Sequence, residues 1–312
     1  MHHQGMDEKQ DWKDRLPYPY DQDLSGVLRH LDRRTPSSRA KLANNPATAG
    51  YLAAAMRLVE RHLGPNAVRE PVDPDDINSI DRPLLRFLSQ REIVAEMTRN
   101  PDPLPRRGSV AALRSTWRSQ SDFIADVLSF ALWPKQRPPE FGREVTIKAE
   151  RLLGGPDFVD GVHDLAYFSM RTALGRSSFR FELAALAEAE GDDVLKAALA
   201  ETYQGPLEPW KRIYEAFGKA HGLRLRPGVT LDDFADILAA LETGLVMRAI
   251  GYPQDRIIDS QSHHSLSGTA VLAVILGCFE RTEEAAGLTI EQAVHELVYD
   301  RPNRVDTTSA AQ

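Results

Sequence analysis

The chain has 312 residues, a formal net charge of −7 and a single cysteine, Cys278. This composition excludes an intrachain disulfide, a multi-cysteine zinc site and a uniformly basic surface for nucleic acid, because the first two need several thiolates and the third needs excess positive charge. No run of 18 apolar residues occurs, and the polar N-terminus lacks the basic and apolar segments of a secretory signal. We therefore expect a cytoplasmic protein that does not span a membrane.

Residues 1–47 predict a flexible N-terminal arm. Residues 1–23 show no sustained period, residues 24–31 could form a short helix, and residues 33–45 are too polar to build a core of their own. Five positive side chains and one aspartate lie between positions 29 and 41. Such a basic segment could follow DNA phosphates or enter a minor groove, and it could equally be a solvated surface.

Two helices are predicted before residue 100. Residues 48–63 place aliphatic side chains on one helical face and stop at Gly64, and the helical period returns at residues 90–97. Prolines make residues 65–83 a loop, and prolines at 101, 103 and 105 exclude a helix across residues 99–107.

A short helix over residues 109–117 and a longer helix from residue 121 form a corner. Ser109 is a suitable N-cap, and Val110, Leu113 and Trp117 share one face, whereas the polar side chains lie elsewhere on the helix. Ser119 or Ser121 can cap the second helix. This pattern is typical of the second half of a helix-turn-helix.

The proline-rich residues 135–140 are the best candidate domain boundary. Beyond them, helical periods are found at residues 158–172, 179–189, 193–203, 209–221, 232–250, 267–281 and 290–298. No β-period of useful length appears. The sequence therefore predicts an all-α fold with a helix-turn-helix domain at 48–134, a helical domain at 141–300 and a tail at 301–312.

Four stretches resemble the TetR family of one-component transcriptional regulators, over about residues 48–300. Tyr51 to Gly64 is similar to that family's aliphatic, alanine-rich first helix, the run Arg91-Glu-Ile-Val-Ala matches its second helix, and residues 230–250 are similar to its penultimate helix. Its recognition helix and the following cap are matched at Ser109, Leu113, Trp117, Ser119, Asp122 and Phe123.

The chain departs from this family at Ala111, Arg114 and Gln120, where the family usually has glycine, tyrosine and lysine. Insertions at 65–88 and 99–107 intrude as well, and the second lengthens a turn that normally takes three or four residues. A lengthened turn could keep the crossing angle of the two helices, or could mean that DNA binding has been altered or lost.

The resemblance implies a homodimer that binds a two-fold symmetric site in double-stranded DNA and responds to a small-molecule effector. Arg114 is the candidate to read a base, because a guanidinium can bind guanine O6 and N7 together. The further base-edge candidates are Ser109, Val110 and Ser115, and the phosphate candidates are Arg106, Arg107, Arg118, Ser119 and Gln120. A solvated charged helix is the alternative interpretation.

Candidates for an effector pocket and a dimer interface lie in the second domain. The pocket candidates are His163, Tyr167, Phe168, Arg171, Tyr203, Trp210 and Tyr214, and the aromatic residues Phe158 and Phe217 could also contribute. The domain has more apolar helix surface than one core needs, so the predicted four-helix dimer interface comprises Leu238, Leu241, Leu245, Leu272, Ile275 and Leu276. Core packing explains most of the aromatic positions equally well.

Motifs for metal or covalent chemistry are weak in this sequence. His263, His264 and Asp259 could suggest metal ligands, but adjacent loop histidines have no third partner at a recognisable spacing. No Gly-x-Ser-x-Gly, phosphate loop or His-Glu-x-x-His motif occurs. We expect no metal, no cofactor and no enzymatic activity. The alternatives are a TetR-like fold that has lost DNA binding and serves as a ligand-binding or interaction protein, and, more remotely, an all-α enzyme.

Overall fold

The computed structural model describes residues 12–67, 84–137, 139–154, 157–204, 207–254, 256–283 and 286–299. Most of these residues are helical, in agreement with the predicted all-α class. The predicted tail at 301–312, the start of the arm and most of the 65–83 loop lie outside the described residues. Within the described ranges, no helix has both the length and the apolar character needed to cross a bilayer.

The helices are joined by mostly short connections. They are α1 (Pro36–Ala43), α2 (Pro46–Leu63), α3 (Gln90–Met97), α4 (Val110–Thr116), α5 (Gln120–Leu132), α6 (Pro139–Gly154), α7 (Phe158–Leu174), α8 (Ser177–Glu188), α9 (Asp193–Gln204), α10 (Leu207–Ala220), α11 (Leu231–Gly251), α12 (Leu266–Cys278) and α13 (Ile290–Tyr299). Four short strands accompany them: β1 (Leu223–Leu225), β2 (Ile258–Asp259), β3 (His264–Ser265) and β4 (Phe279–Arg281). β1 pairs with β4 and β2 with β3, both antiparallel.

The corner formed by α4 and α5 follows from local capping. Ser109 caps α4 by accepting the N–H of Ala112 at 3.1 Å. Ser119 and Asp122 form a capping box at the start of α5. The predicted sequence of a short helix, a break and a longer helix is therefore confirmed.

The chain divides into two compact units. The first comprises Met1–Gly142 and Ala173–Pro206, and the second comprises Arg143–Thr172 and Leu207–Gln312. The chain first passes from one unit to the other after Gly142, close to the predicted boundary at 135–140. The domain predicted over 141–300, however, is not one unit. α8 and α9 belong to the first unit because their apolar side chains, including Phe181 and Leu199, are buried in its core. A helical period shows that a segment has an apolar face, but it does not show in which core that face is buried.

Residues 12–47 do not form the flexible arm predicted over residues 1–47, and residues 1–11 of that prediction lie outside the described residues. Leu24, Leu28 and Leu31 are buried in the core of the first unit, although residues 24–31 form turns and extended chain rather than a helix. α1 lies within the polar stretch 33–45 and is capped by Thr35. The spacing of these apolar side chains suits a helix, but they are buried in a non-helical segment because α2 and α5 provide the rest of the core.

The core of the second unit lies among α10, α11, α12 and the β1–β4 pair, and it includes the buried Cys278. The helix predicted over residues 267–281 ends at Cys278, because β4 pairs with β1 instead. Glu280 on β4 is buried and forms ion pairs with Arg224 at 2.8 Å and Arg226 at 3.3 Å. Such a short strand depends on these tertiary partners and has no period that a sequence could display.

Candidate functional site

The C-terminal end of α4 is held by a buried carboxylate on α5. Asp126 Oδ2 accepts the indole N–H of Trp117 at 2.8 Å. Its Oδ1 accepts the backbone N–H groups of Arg29 at 2.8 Å and His30 at 3.0 Å. One carboxylate therefore fixes both the helix end and the N-terminal segment beside it.

The surroundings of Asp126 raise the pKa of its carboxyl group. Burial raises the pKa of the Asp126 carboxyl to about 6, against the hydrogen bonds from Trp117, His30 and Arg29, which favour the ionised form. The group is therefore ionised at neutral pH and takes up its proton at a higher pH than an ordinary aspartate does.

The long connection between α3 and α4 packs against α2. Asn100 is buried, and its Nδ2 donates to the Gly50 carbonyl at 3.1 Å. Gly108 allows a close approach, because an added Cβ would stand 2.5 Å from Met97 Sδ and 2.9 Å from Tyr51 Cε1. The inserted residues 99–107 thus place the start of α4 by contacts with α2, in the position where a tight turn was expected.

A second buried carboxylate joins α2 to α3. Glu96 forms ion pairs with Arg57 at 3.1 Å, Arg61 at 2.8 Å and Arg99 at 2.8 Å. Burial acts to raise the pKa of Glu96, but the hydrogen bonds from these three guanidinium groups outweigh it, so the pKa lies below its usual value. Arg57, Arg61 and Arg99 therefore stabilise the scaffold that carries α4.

The outward face of α4 carries the predicted DNA-contacting side chains. The exposed ones are Arg106, Arg107, Ser109, Arg114, Ser115 and Arg118, and Val110, Ser119 and Gln120 are half-buried. On the opposite face Leu113 and Trp117 are fully buried, as the apolar pattern predicts.

The arginines of this face differ in their partners. Arg114 donates from Nε to Gln90 Oε1 at 2.8 Å, which leaves its terminal amino groups for other acceptors. Within the described part of the chain, Arg107 and Arg118 have no hydrogen bond or ion pair. These two exposed charges can therefore bind a ligand without breaking a contact.

Three of the predicted phosphate contacts serve the local structure. Ser119 is engaged in the capping box of α5. Gln120 donates to the Leu88 carbonyl at 2.6 Å, and Arg106 donates from Nε to the Asn100 carbonyl at 2.6 Å. Substituting any of the three would change the scaffold as well as the surface.

The N-terminal segment brings positive charge to the end of α4. The backbone N–H of Asp32 donates to the Thr116 carbonyl at 2.9 Å, and Arg33 Nη1 donates to the Ser115 carbonyl at 3.1 Å. Arg33 and Arg34 are both exposed. This part of the basic segment is thus fixed beside the candidate recognition helix.

A groove of about 720 Å³ in the first unit is bordered by α3, α4 and the start of α9. Its lining includes the positive side chains of Arg86, Arg91 and Arg114 and the negative side chains of Glu188 and Asp192. The groove therefore differs in charge from the basic surface at the two ends of α4.

The second unit contains a mainly apolar cavity of about 130 Å³ with five aromatic residues in its lining. Two of the predicted pocket residues, Trp210 and Tyr214, line it, as do Phe158 and Phe217. Its volume is close to that of an apolar cavity of about 150 Å³ that holds benzene. The space suits a molecule of about one ring.

Other predicted pocket residues lie elsewhere. Tyr203 belongs to the first unit, where its hydroxyl is hydrogen-bonded to Glu182. His163, Tyr167, Phe168 and Arg171 are not among the described residues that line the cavity. They share α7 with lining residues, but a spacing of four places them on a different side of that helix.

The histidines considered as metal ligands form stacked pairs. His264 stacks on His163 with 4.4 Å between ring centroids, and His263 stacks on Tyr167 at 5.1 Å. Asp259 accepts hydrogen bonds within its own turn. Among the described residues, no group of three His, Cys, Asp or Glu side chains could hold a metal ion.

The polar end of the cavity was missed by the sequence analysis. Glu242 lines it from α11 and Ser169 from α7, and the Ser169 hydroxyl donates to Glu242 Oε1. Glu242 follows Leu238 by four residues and Phe234 by eight, so it shares a helical face with two core residues. A charged residue on the core-facing side of an apolar helix was the available signal.

An apolar stripe lies outside the core of the second unit, and we call it the α11–α12 stripe. Ile237 and Met247 on α11 are 43% and 48% exposed, and Leu266 and Leu276 on α12 are 41% and 80% exposed. Its other members are the small exposed residues Ala240, Gly244, Ala273 and Gly277. Small residues between large apolar ones allow another helix to approach closely.

The predicted interface residues are divided between two faces. Leu276 belongs to the α11–α12 stripe, whereas Leu238 and Ile275 face inward and line the cavity. Leu241, Leu245 and Leu272 are half-buried. Because α12 is apolar around its whole circumference, the period did not indicate which side faces inward.

Comparisons of the chain with protein-family models, with curated proteins and with solved structures give no significant match. Function is therefore argued from the surfaces and contacts of the two units.

Proposed function

We propose that this protein is a DNA-binding transcriptional regulator similar to the TetR family, which acts as a homodimer and is controlled by a small molecule. The surface of α4 carries the proposal. Its inner side is anchored by Leu113 and by Trp117 at its end, its outer side presents Arg114 and Ser115, and Arg118 is exposed just beyond it. A helix of this kind fits the major groove, where such side chains reach base edges and phosphates.

In this proposal Arg114 reads a base. Gln90 holds the Nε of Arg114, and the two terminal amino groups can form the fork that binds guanine O6 and N7. Arg107 and Arg118, which flank α4, contact phosphates. These contacts set the position of the helix on the duplex but carry no sequence information.

Arg33 and Arg34 would extend the phosphate contacts from the C-terminal end of α4. Arg33 donates a hydrogen bond to the Ser115 carbonyl, so its position is fixed before DNA binds. A preordered cation loses less conformational entropy on binding than a flexible arm does.

Effector control and dimerisation are assigned to the second unit. α11 contributes Leu238 and Glu242 to the cavity and Ile237 and Met247 to the α11–α12 stripe. A ligand in the cavity and a second copy on the stripe would therefore touch the same helix. The ligand shifts DNA binding only as far as it binds the two states with different affinity.

Arg107→Ala and Arg118→Ala are expected to weaken binding to all DNA sequences alike. Each should lower the slope of log affinity against log salt concentration by about one, because each removes one phosphate contact. Titration of labelled duplexes at several salt concentrations measures both effects. Lys219→Ala, which removes an exposed cation from the second unit, is the control and should leave the slope unchanged. An unaltered slope in both Arg107→Ala and Arg118→Ala would refute the phosphate assignment.

A second candidate is a ligand-binding or interaction protein that does not bind DNA. One observation favours it: Glu188 and Asp192 place negative charge in the groove that Arg114 also lines, and this charge repels phosphates. In that case the groove of about 720 Å³ would receive the ligand. The salt titrations separate the two candidates, because the second predicts no salt-dependent DNA binding.

A further inference from the structure

Two groups of contacting aromatic rings line the cavity of the second unit. The rings of Phe158 and Phe217 stack with 4.9 Å between centroids, and those of Trp210 and Tyr214 lie 6.3 Å apart. Tyr214 also meets Phe234 edge-on at 5.1 Å. All five residues line the cavity, so a ligand inside it faces several aromatic surfaces.

The cavity wall also carries negative charge. Among its described lining residues there is one acidic side chain, Glu242, and there is no lysine, arginine or histidine. The hydroxyl of Ser169 donates to Oε1 of Glu242, so this carboxyl group is held at the cavity wall. Burial and the charge of Glu242 raise the pKa of Tyr214 above its usual value, so its hydroxyl stays neutral.

We propose that the cavity binds an organic cation, namely a protonated amine on an apolar body of about one ring, with Glu242 as its counter-charge. An ammonium group is attracted both to the faces of aromatic rings and to a carboxylate, and both attractions are stronger away from water. An anionic ligand would be repelled, and a neutral ligand would lack the attraction of a positive charge to the rings and the carboxylate. In the proposed regulator this cation would be the effector. That role, but not the binding itself, rests on the proposed function.

Three probes of similar shape and different charge test the proposal on the full chain without DNA. They are 2-phenylethylamine, 2-phenylethanol and 3-phenylpropanoate, titrated by calorimetry. The amine is expected to bind at least about tenfold more tightly than the alcohol, since close charge pairs and cation–π contacts contribute more than that when desolvated. The carboxylate probe should show no binding.

Substitutions at Glu242 locate the source of this preference. Glu242→Gln removes the charge at nearly constant size and should bring the affinities for amine and alcohol to within about twofold of each other, because the ion pair is lost. Glu242→Asp retains the charge and should keep the preference for the amine over the alcohol. This variant tests the role of the charge even if Glu242→Gln folds poorly. Asp236→Asn removes an exposed charge from the same helix and should leave the preference unchanged.

Three results would overturn the proposal: alcohol bound by the wild type as tightly as the amine, no binding of the amine at millimolar concentration, or a preference that survives Glu242→Gln. Amine binding that leaves DNA affinity unchanged would support the cavity assignment and count against effector control. Failure of DNA binding itself leaves these calorimetric results unaffected, so the two proposals fail separately.

Discussion

Asp126→Ala is expected to lower the free energy of unfolding by about 3–5 kcal/mol, because it leaves the buried Trp117 indole and two partly buried backbone N–H groups without their acceptor. The end of α4 would be released with Trp117, so specific DNA binding should be lost as well. Urea unfolding followed by circular dichroism measures the change in stability.

Glu201→Gln is the matched control, since it removes a carboxylate that contacts Arg29 in an exposed ion pair. It should change the stability by less than about 0.5 kcal/mol. Equal unfolding midpoints for the control and for Asp126→Ala would show that Asp126 does not hold α4.

The pKa of Asp126 gives this stability a defined dependence on pH. The value is about 6 in the folded protein, above the ordinary value of 3.8, so the folded state binds the proton more tightly than the unfolded state. The resulting stabilisation is complete below the unfolded value and is lost as the pH rises through the folded value. The stability of the wild type relative to Asp126→Asn should therefore decrease between about pH 4 and about pH 6 and be constant above about pH 7.

Leu276→Glu is expected to convert a dimer into monomers. Leu276 is 80% exposed in the α11–α12 stripe, and a second copy packed there would have to bury the new charge without a partner. DNA affinity should then fall by about 10²–10⁴-fold, because the two half-sites are no longer bound by one connected molecule. Light scattering measures the mass, and duplex titration measures the affinity.

Leu297→Glu introduces the same change at a leucine that is 84% exposed on α13, outside the stripe. This control should remain a dimer with full DNA affinity. A dimer that persists in Leu276→Glu would place the dimer interface outside the α11–α12 stripe. A monomeric wild type would contradict the proposed homodimer.

Most helices could be predicted because their signals are local. The apolar period of residues 48–63 and the caps at Ser109 and Ser119 depend on neighbours within a few residues, and the structure has α2, α4 and α5 where these signals place them. The local spacing of Leu24, Leu28 and Leu31 suggested a short helix, but their burial in turns and extended chain depends on distant helices. The assignment of α8 and α9 to the first unit could not be predicted for the same reason.

The candidate site was predicted to a similar extent. Which residues of α4 point outward followed from its amphipathic pattern, but the partners of Arg106, Gln120 and Arg114 are tertiary contacts that no spacing encodes. Aromatic cavity residues such as Trp210 were foreseen by composition. Glu242 was not, because a glutamate on a helix that carries other charged residues is usually exposed.

Selection of bound fragments from genomic DNA tests the central claim, that α4 reads DNA sequence, most directly. The wild type should enrich a two-fold symmetric site whose half-sites lie about one helical turn apart, as expected for two copies of α4 in successive major grooves. The same selection with Arg114→Ala should lose the preference at one base pair in each half-site, at a cost of about 1–3 kcal/mol. Absence of any enriched sequence, or an identical site selected by Arg114→Ala, would contradict the claim.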